Sequence, residues 1–197
     1  MSGVQEYYAR EAGALAERYE GLSFEAVHHG VLGHLPEPPA RALDVGAGTG
    51  RDAAALARRG FEVVAVEPVP QLRAVARRLH AEAPVTWIDD ALPTLEKLTG
   101  PYDLILLSAV WMHLEEGERA LAMSRLSALT APDGRLVLTL RHGPPPPERR
   151  MFDVPAGETI ELAERCGFTL VHQGTDTDQL GRAEVHWSEL VLRKVGT

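Results

Sequence analysis

One stretch decides the fold of this chain: Leu43-Asp44-Val45-Gly46-Ala47-Gly48-Thr49-Gly50-Arg51-Asp52. It links a short apolar strand, predicted over 41–45, to a helix predicted over 52–59. The three glycines allow the backbone to turn sharply and to approach a ligand closely, which side chains would prevent. Their spacing is G-x-G-x-G, and position 51 holds arginine where the dinucleotide fingerprint G-x-G-x-x-G requires glycine. We therefore expect a bound ligand at this turn, and the arginine disfavours a dinucleotide.

The stretch resembles the first motif of the class I S-adenosylmethionine-dependent methyltransferases, in which an acidic residue and one apolar residue precede G-x-G-x-G. The resemblance implies that Asp44 helps to hold the amino end of the cofactor, S-adenosyl-L-methionine. It also implies that the glycine loop passes beside the methionine part of that cofactor. Further cofactor contacts are expected from the loop and the start of the next helix: Gly46, Ala47, Gly48, Gly50, Arg51 and Asp52.

A carboxylate stands at the end of the second predicted strand. This strand covers 62–66 and is followed by Glu67, Pro68 and a helix that runs to about residue 81. One carboxylate can accept both hydrogen bonds of a ribose diol, which a neutral side chain cannot do. The resemblance therefore implies Glu67 as the ribose ligand, with Pro68 beside it.

Two aspartates follow the third predicted strand, 85–88. The sequence Asp89-Asp90-Ala91 is similar to the family's next motif, an acid and a small residue in the loop that meets the adenine. An aspartate there can accept the protons of the adenine amino group. Asp90 fits better because Ala91 follows it, and Asp89 remains an alternative. The other member of the pair is expected to be a turn or helix-cap residue.

The segments after the fourth and fifth strands are expected to face the methyl acceptor. The fourth strand, 102–108, ends in Ser108, a further candidate cofactor contact, and continues into a segment that carries Trp111 and His113. A helix over 117–129, a turn over 131–134 and a fifth strand over 135–140 come next. Ligands of open α/β sheets lie outside the carboxyl ends of the strands, so Arg141 and His142 should point toward the acceptor.

These side chains suggest an acceptor pocket. Arg141 would bind a carboxylate or a similar anion through its planar guanidinium group, with His142 beside it. Trp111 would form a wall and could face the sulfonium by cation–π attraction. Either His113 or His142 would act as a general base, which is needed only if the acceptor is protonated at neutral pH. The alternatives are a packing role for His113 and a solvated spacer after the fifth strand.

The N-terminal 39 residues are predicted to form a helical lid. Apolar residues recur at helical spacing over 2–21, and Tyr8 and Tyr19 lie on that stripe. In the resembling family a helix in this place often crosses the cofactor, so Tyr19 is a candidate cofactor contact and Tyr8 a candidate substrate contact. Tyr7 is a weaker candidate because it lies off the stripe. A second helix, 23–35, carries three histidines that we expect on the surface: His28, His29 and His34.

The predicted fold is a single α/β domain over 1–197, with a Rossmann-like core over 40–197. Strand and helix alternate from 41 to 141, which predicts a doubly wound, mostly parallel sheet. Four prolines, 144–147, predict an extended loop, followed by a helix over 155–166 and strands over 168–173 and 185–194. Trp187 is expected in the core. The resemblance implies seven strands in the order 3-2-1-4-5-7-6, with strand 7 antiparallel.

Composition restricts the possible partners. The chain has 197 residues, 45% of them hydrophobic, and a formal net charge of -8, so no broad basic face favours nucleic acid. A single cysteine excludes an internal disulfide, and no Cys and His cluster has the spacing of a metal site. No leader or membrane span is evident, which predicts a cytoplasmic protein. We expect a monomer or a homodimer.

The function predicted from these features is direct in-line methyl transfer to a small molecule, with S-adenosyl-L-homocysteine as the product. Two alternatives belong to other classes: a nicotinamide-dependent oxidoreductase, which Arg51 disfavours, and a non-catalytic cofactor-binding module. A methyltransferase acting on nucleic acid or protein is a lesser alternative, because the net charge of the chain is negative and no target-recognition segment is evident.

Overall fold

The computed structural model describes residues 2–146 and 148–196, so Pro147 of the predicted proline loop lies outside the described residues. Seven strands form one sheet in the predicted order β3-β2-β1-β4-β5-β7-β6. Strands β1 to β5 are parallel, and β7 is antiparallel to both β5 and β6. The strands are β1 Arg41–Val45, β2 Glu62–Val66, β3 Val85–Ile88, β4 Tyr102–Ser108, β5 Thr130–His142, β6 Phe168–Thr177 and β7 His186–Lys194.

Helices cover both faces of the sheet. They are α1 Ser2–Glu20, α2 Phe24–Val27, α3 Arg51–Arg58, α4 Pro70–Leu79, α5 Glu116–Leu129 and α6 Ala156–Arg165. Local sequence explains their starts: α4 begins with a proline, and a capping box between Glu115 and Glu118 opens α5. Within the described ranges, no helix is long and apolar enough to cross a membrane.

The alternation of side chains along the strands divides the core into two layers. Alternate residues of β4, such as Ile105 and Leu107, face α5 and α6. The residues between them, Leu104 and Leu106, belong to the layer that holds α2 and α3. Asp44 of β1 and Ser108 of β4 lie on this second face, because they alternate with residues of the first layer.

The predicted second helix over 23–35 is wrong. Residues 24–27 form one helical turn, capped by the Ser23 hydroxyl, which accepts a hydrogen bond from the Ala26 amide. A short 3-10 helix, Leu32–His34, follows after an irregular stretch. Glycines at 30 and 33 explain the break, because glycine loses more conformational entropy in a helix than other residues.

Strand β5 begins at Thr130, five residues before the predicted start at 135. The predicted turn over 131–134 is absorbed into this strand as an irregularity, where the register with β4 shifts between Tyr102 and Leu104. Asp133 has a left-handed φ of 58°. At Gly134, a Cβ atom would lie only 2.9 Å from the Ala131 carbonyl oxygen and 3.1 Å from the Tyr102 carbonyl oxygen. The glycine is therefore required by this close backbone approach.

Alanine substitutions at two glycines should have opposite effects on stability. Gly134→Ala forces the Cβ against backbone oxygens and should lower the free energy of unfolding by about 1–3 kcal/mol. Gly117→Ala, in α5, meets nothing within 4 Å and should raise it by about 0.5 kcal/mol. Urea denaturation followed by circular dichroism measures both. Equal stability of the Gly134→Ala variant and the wild-type protein would contradict the close approach.

Candidate functional site

A cavity of about 260 Å³ lies at the carboxyl ends of β1, β2 and β4 and extends over β5 and β7. Helix α1 and the segment around Arg149 form its cover. Most of the residues predicted from the sequence line it: Tyr8, Tyr19, Asp44, Gly46, Ala47, Gly48, Arg51, Asp52, Glu67, Pro68, Asp90, Ala91, Ser108, His113 and Arg141. Four predicted residues do not line it: Gly50, Asp89, Trp111 and His142.

The glycine loop has the backbone conformation that its sequence predicts. Gly46, Gly48 and Gly50 have φ values of 70°, 56° and 86°, all in the left-handed region. The Gly46 and Ala47 amides both donate to the Val66 carbonyl oxygen, which ties the loop to β2. Gly50 has a steric role, because a Cβ at this position would lie 3.1 Å from side chains of α4 and β3.

Glu67 holds the loop and lines the cavity at the same time. One carboxylate oxygen accepts the Gly48 amide hydrogen at 2.9 Å, and the other accepts that of Val69 at 2.8 Å. Each oxygen keeps a lone pair for a further donor. Burial raises the pKa of Glu67, although both amide hydrogen bonds oppose this rise.

Two buried carboxylates, Asp44 and Asp52, lie below the loop in unlike surroundings. Asp52 Oδ2 is 2.9 Å from His28 Nε2, and its two oxygens receive Arg51 Nε at 2.6 Å and Nη2 at 3.0 Å. Burial opposes ionisation of Asp52, but His28 and Arg51 outweigh it and hold the pKa well below its usual range. His28 is fully buried, so its predicted surface position is wrong. An acidic partner 24 residues away in the sequence explains its burial.

Asp44 has less compensation, from the Ala53 amide and the nearby charge of Arg51. It is 1% exposed, and its Oδ2 atom has no hydrogen-bond partner in the part of the chain that the structure describes. Burial raises the pKa of Asp44, and the negative charge of Asp52 raises it further. A buried carboxylate oxygen that borders a cavity without a donor is a binding position for a positively charged N–H group.

The two aspartates after β3 have separate roles. Asp90 lines the cavity, and its oxygens accept the amides of Ala91 at 2.8 Å and Lys97 at 2.7 Å. Asp89 points outward and forms an ion pair with Arg73 at 2.9 Å. The preference for Asp90 over Asp89 is thus consistent with the cavity lining, while adenine binding remains a prediction.

A hydrogen-bonded network joins the cover to the far end of the cavity. Tyr8 lies between His113 Nε2 and Arg149 Nη1, each 3.2 Å from its hydroxyl oxygen. His113 Nδ1 is 3.0 Å from the Arg150 carbonyl oxygen, which only accepts, so Nδ1 carries the hydrogen and Nε2 accepts from Tyr8. The Arg149 guanidinium also lies over the rings of Tyr7 and Tyr8, at 5.0 and 5.4 Å. Burial raises the pKa of Tyr8 and keeps its hydroxyl protonated.

Only one of the two side chains after the fifth predicted strand reaches the cavity. Arg141 lines it, and its guanidinium donates to the carbonyl oxygens of Gly143 at 3.1 Å and Pro144 at 2.9 Å. His142 faces the other side of the sheet, where its ring nitrogens meet Asp153 and Ser188. Successive strand residues point to opposite faces, so the predicted convergence of both residues on one pocket is wrong.

Two tryptophans also lie elsewhere than predicted. Trp111 is fully buried in the layer of α5 and α6, so the predicted wall of the acceptor pocket is wrong. Trp187, predicted as core, lines the cavity, and its Nε1 donates to Asp178 at 3.2 Å. In β7 it pairs with Arg141 of β5, which places the two side chains on the same face.

Sequence reasoning missed several cavity residues near the C-terminal strands: Thr139, Arg149, Asp178, Arg182 and Glu189. A usable signal existed for Glu189, because it is a charged residue within the predicted strand 185–194, directly before the apolar residues 190–192. The structure leaves it only 4% exposed. Arg149 gave no comparable signal, since its position depends on how the loop after β5 folds back onto α1.

Comparisons with known proteins agree with this architecture. Residues 42–134 match the family model described as methyltransferase domain, in agreement with the motifs of the glycine loop and the strands that follow it. An uncharacterized methyltransferase of Mycobacterium tuberculosis is 39% identical over 97 residues, which are 49% of this chain and 48% of that protein. A ubiquinone biosynthesis O-methyltransferase of Methylocella silvestris is 34% identical over 119 residues, 58% of this chain and 43% of that protein. The chain spans about half the length of these curated relatives.

A solved structure matches almost the whole fold. The 1,6-didemethyltoxoflavin-N1-methyltransferase of Burkholderia thailandensis, with bound 1,6-didemethyltoxoflavin and S-adenosylhomocysteine, superposes with a TM-score of 0.74 at 23% identity. The match covers 98% of this chain and 88% of that one. It confirms the Rossmann-like fold, including the C-terminal strands that the family model does not cover.

The protonation of His113 should depend on its surroundings. Burial, together with the cations Arg149 and Arg150, lowers the pKa of His113 from its ordinary value of 6.5. In an NMR titration its midpoint should therefore lie below 6.5, and in Arg149→Gln the midpoint should rise because one cation is lost. Arg165→Gln, at an exposed position of α6, is the matched control. A wild-type midpoint of 6.5 or higher would contradict the burial, and an unchanged midpoint in Arg149→Gln would contradict the charge effect.

Proposed function

We propose that this chain, whose residues 42–134 belong to the methyltransferase domain family, transfers the methyl group of S-adenosyl-L-methionine to a small-molecule acceptor. The observation that supports this most directly is the unpartnered Oδ2 atom of buried Asp44 at the edge of the cavity. A carboxylate in this state is unfavourable for folding and fits the amino group of a methionine moiety.

The other residues beside Asp44 fit the remaining parts of the cofactor. The carboxylate of Glu67 has a free lone pair on each oxygen for the ribose diol. Asp90, Ala91 and Leu92 line the side where the adenine would lie, and Leu92 contributes an apolar surface. Tyr19 and Arg51 border the same end of the cavity as Asp44, near the methionine carboxylate in this arrangement.

Bound S-adenosyl-L-methionine supplies an activated methyl group on a positively charged sulfur, which becomes neutral when the methyl group leaves. The protein therefore needs to align the acceptor and exclude water more than it needs to stabilise charge. Helix α1 and Arg149 cover the cavity and would exclude water from it. Hydrogen bonds of the Tyr8 hydroxyl connect this cover to His113. No step requires a covalent bond to the enzyme.

We propose that the acceptor binds at the end of the cavity formed by β4, β5 and β7. Arg141 is a candidate for gripping an anionic group, because only carbonyl oxygens occupy its guanidinium and its Nε has no partner among the described residues. His113 is the candidate base. A backbone carbonyl oxygen accepts its Nδ1 hydrogen, so Nε2 is the nitrogen that can take a proton. It becomes available when the methyl acceptor displaces the Tyr8 hydroxyl.

The cofactor assignment makes a two-sided prediction for Asp44→Asn. Removing the charge should weaken S-adenosylhomocysteine binding by about 10- to 100-fold, because a charged hydrogen bond is lost. The same change should raise the free energy of unfolding of the free protein by about 1–2 kcal/mol, because a buried charge next to Asp52 disappears. Calorimetry and urea denaturation measure the two effects, with Asp133→Asn, an exposed acid, as control. Unchanged affinity, or NAD binding by the wild-type protein, would refute the assignment.

The acceptor assignment can be tested once a metabolite screen for S-adenosylhomocysteine release has found a substrate. His113→Gln should then lower kcat by at least about 100-fold and flatten the acid limb of the pH profile. Arg141→Lys should mainly raise KM. His142→Gln is the matched control, because this histidine faces the other side of the sheet. If alanine variants of His113 and Arg141 both keep wild-type kcat and KM, the acceptor site lies elsewhere.

A further inference from the structure

Glu189 of β7 is a buried acid that neither the fold nor the proposed cofactor site explains. It is 4% exposed and lines the cavity. Within the described ranges, no group donates a hydrogen bond to its carboxylate or forms an ion pair with it. Burial raises the pKa of Glu189, and the nearby charges come from His28, His29, His172 and Asp176. A buried carboxylate without a donor is costly unless a ligand supplies one.

Two glycines make room for this carboxylate. At Gly30, an added Cβ would lie 2.1 Å from Glu189 Oε2. At Gly174, which pairs with Glu189 in the sheet, an added Cβ would lie 2.9 Å from His172 Nε2 and 3.3 Å from the same Glu189 oxygen. Any larger residue at position 30 would force the carboxylate out of its place. The N-terminal segment and β6 are thus both shaped to hold the carboxylate of Glu189.

The sheet register locates Glu189 relative to the rest of the cavity. Ser108 pairs with Thr139, and Thr139 pairs with Glu189, so the three residues form a row on one face of β4, β5 and β7. Neighbouring strands are about 4.8 Å apart, so the backbone of Glu189 lies about 10 Å from that of Ser108. Ser108 borders the proposed cofactor site, and Glu189 therefore lies at the acceptor end of the cavity.

Arg141 does not neutralise Glu189. The two residues lie on the same face as diagonal neighbours, yet the guanidinium of Arg141 donates to the carbonyl oxygens of Gly143 and Pro144 and not to Glu189. Arg141 instead has Arg149, Arg182 and Asp178 as charged neighbours. The acceptor end therefore presents a carboxylate and a guanidinium separately, and each can bind a different group of one ligand.

We propose that Glu189 is an acceptor-recognition residue, and that the methyl acceptor carries a cationic N–H group, an ammonium, amidinium or guanidinium, which pairs with its carboxylate. This inference rests on the proposed function, because it assigns the acceptor of the same site. It names Glu189 as a residue that determines specificity. A cationic group with N–H donors forms the strongest hydrogen bonds available to a carboxylate.

The test uses pairs of small probes that have the same shape and differ in charge. Acetamidinium is compared with acetamide, and benzamidinium with benzamide, by NMR titration of the complex with S-adenosylhomocysteine. At least one cation should bind about tenfold more tightly than its neutral counterpart. Glu189→Gln should abolish this difference, and Glu164→Gln, an exposed acid on α6, should preserve it.

A second pair of variants tests the position of the carboxylate without changing its charge. Gly30→Ala should displace Glu189 and reduce the preference for the cation about as much as Glu189→Gln does. Gly33→Ala meets nothing within 4 Å and should leave the preference intact. Because Gly30→Ala displaces only the end of a flexible side chain, the variant should remain folded, which circular dichroism verifies.

The outcomes separate this inference from the proposed function. If the wild-type protein fails to bind S-adenosylhomocysteine, the proposed function and this inference both fall. If it binds S-adenosylhomocysteine but no cation binds better than its neutral counterpart, only the inference falls. The inference also falls if Glu189→Gln keeps the preference. A lower melting temperature of free Glu189→Gln would overturn it as well, because it would show that the carboxylate is paired with the surrounding histidines inside the protein.

Discussion

The buried carboxylate of Asp52 is the interaction that fixes the N-terminal helices to the sheet. It lies in the first turn of α3, where the helix dipole favours a negative charge, and it binds both His28 and Arg51. His28 directly follows α2, and Arg51 also reaches the Tyr19 carbonyl oxygen of α1 at 3.4 Å. Asp52 thus connects the start of α3 with the residue that follows α2 and, through Arg51, with α1. Breaking a buried pair of this kind typically costs about 3–5 kcal/mol, because the remaining charge stays buried without a partner.

Asp44 is also a buried aspartate, but its surroundings stabilise the carboxylate much less than those of Asp52 do. The two aspartates are both buried, but both oxygens of Asp52 have hydrogen-bond partners, whereas one oxygen of Asp44 has none among the described residues. Repulsion from Asp52 makes the charge of Asp44 still less favourable. A fold selected for stability alone would replace such a carboxylate with a neutral side chain. Its presence beside the glycine loop therefore indicates that a cationic ligand compensates it.

Much of the fold could be predicted from the sequence, because the four N-terminal strands are short apolar runs bounded by glycine, proline or acidic residues. Their predicted limits agree with β1 to β4 to the residue. The errors arise where distant contacts override local pattern. His28 is polar in sequence but buried by Asp52, and Trp111 follows a strand like a pocket residue but packs into the core. The error for His142 arises because the fifth strand is predicted to end at 140, whereas β5 continues to His142 and successive strand residues point to opposite faces.

The division of the cavity explains why the family can be recognised and the acceptor cannot. Apart from Tyr19 of α1, the residues that fit the cofactor lie between Asp44 and Ser108, inside the matched range 42–134. Apart from His113, the residues at the proposed acceptor end lie outside that range, on α1, on the last three strands and on the loop that holds Arg149. Strand pairing brings these late residues together: Thr139 and Arg141 of β5 lie beside Glu189 and Trp187 of β7. Cofactor binding and acceptor choice are therefore carried by separate parts of one sheet, and the second part can change its charges without disturbing the first.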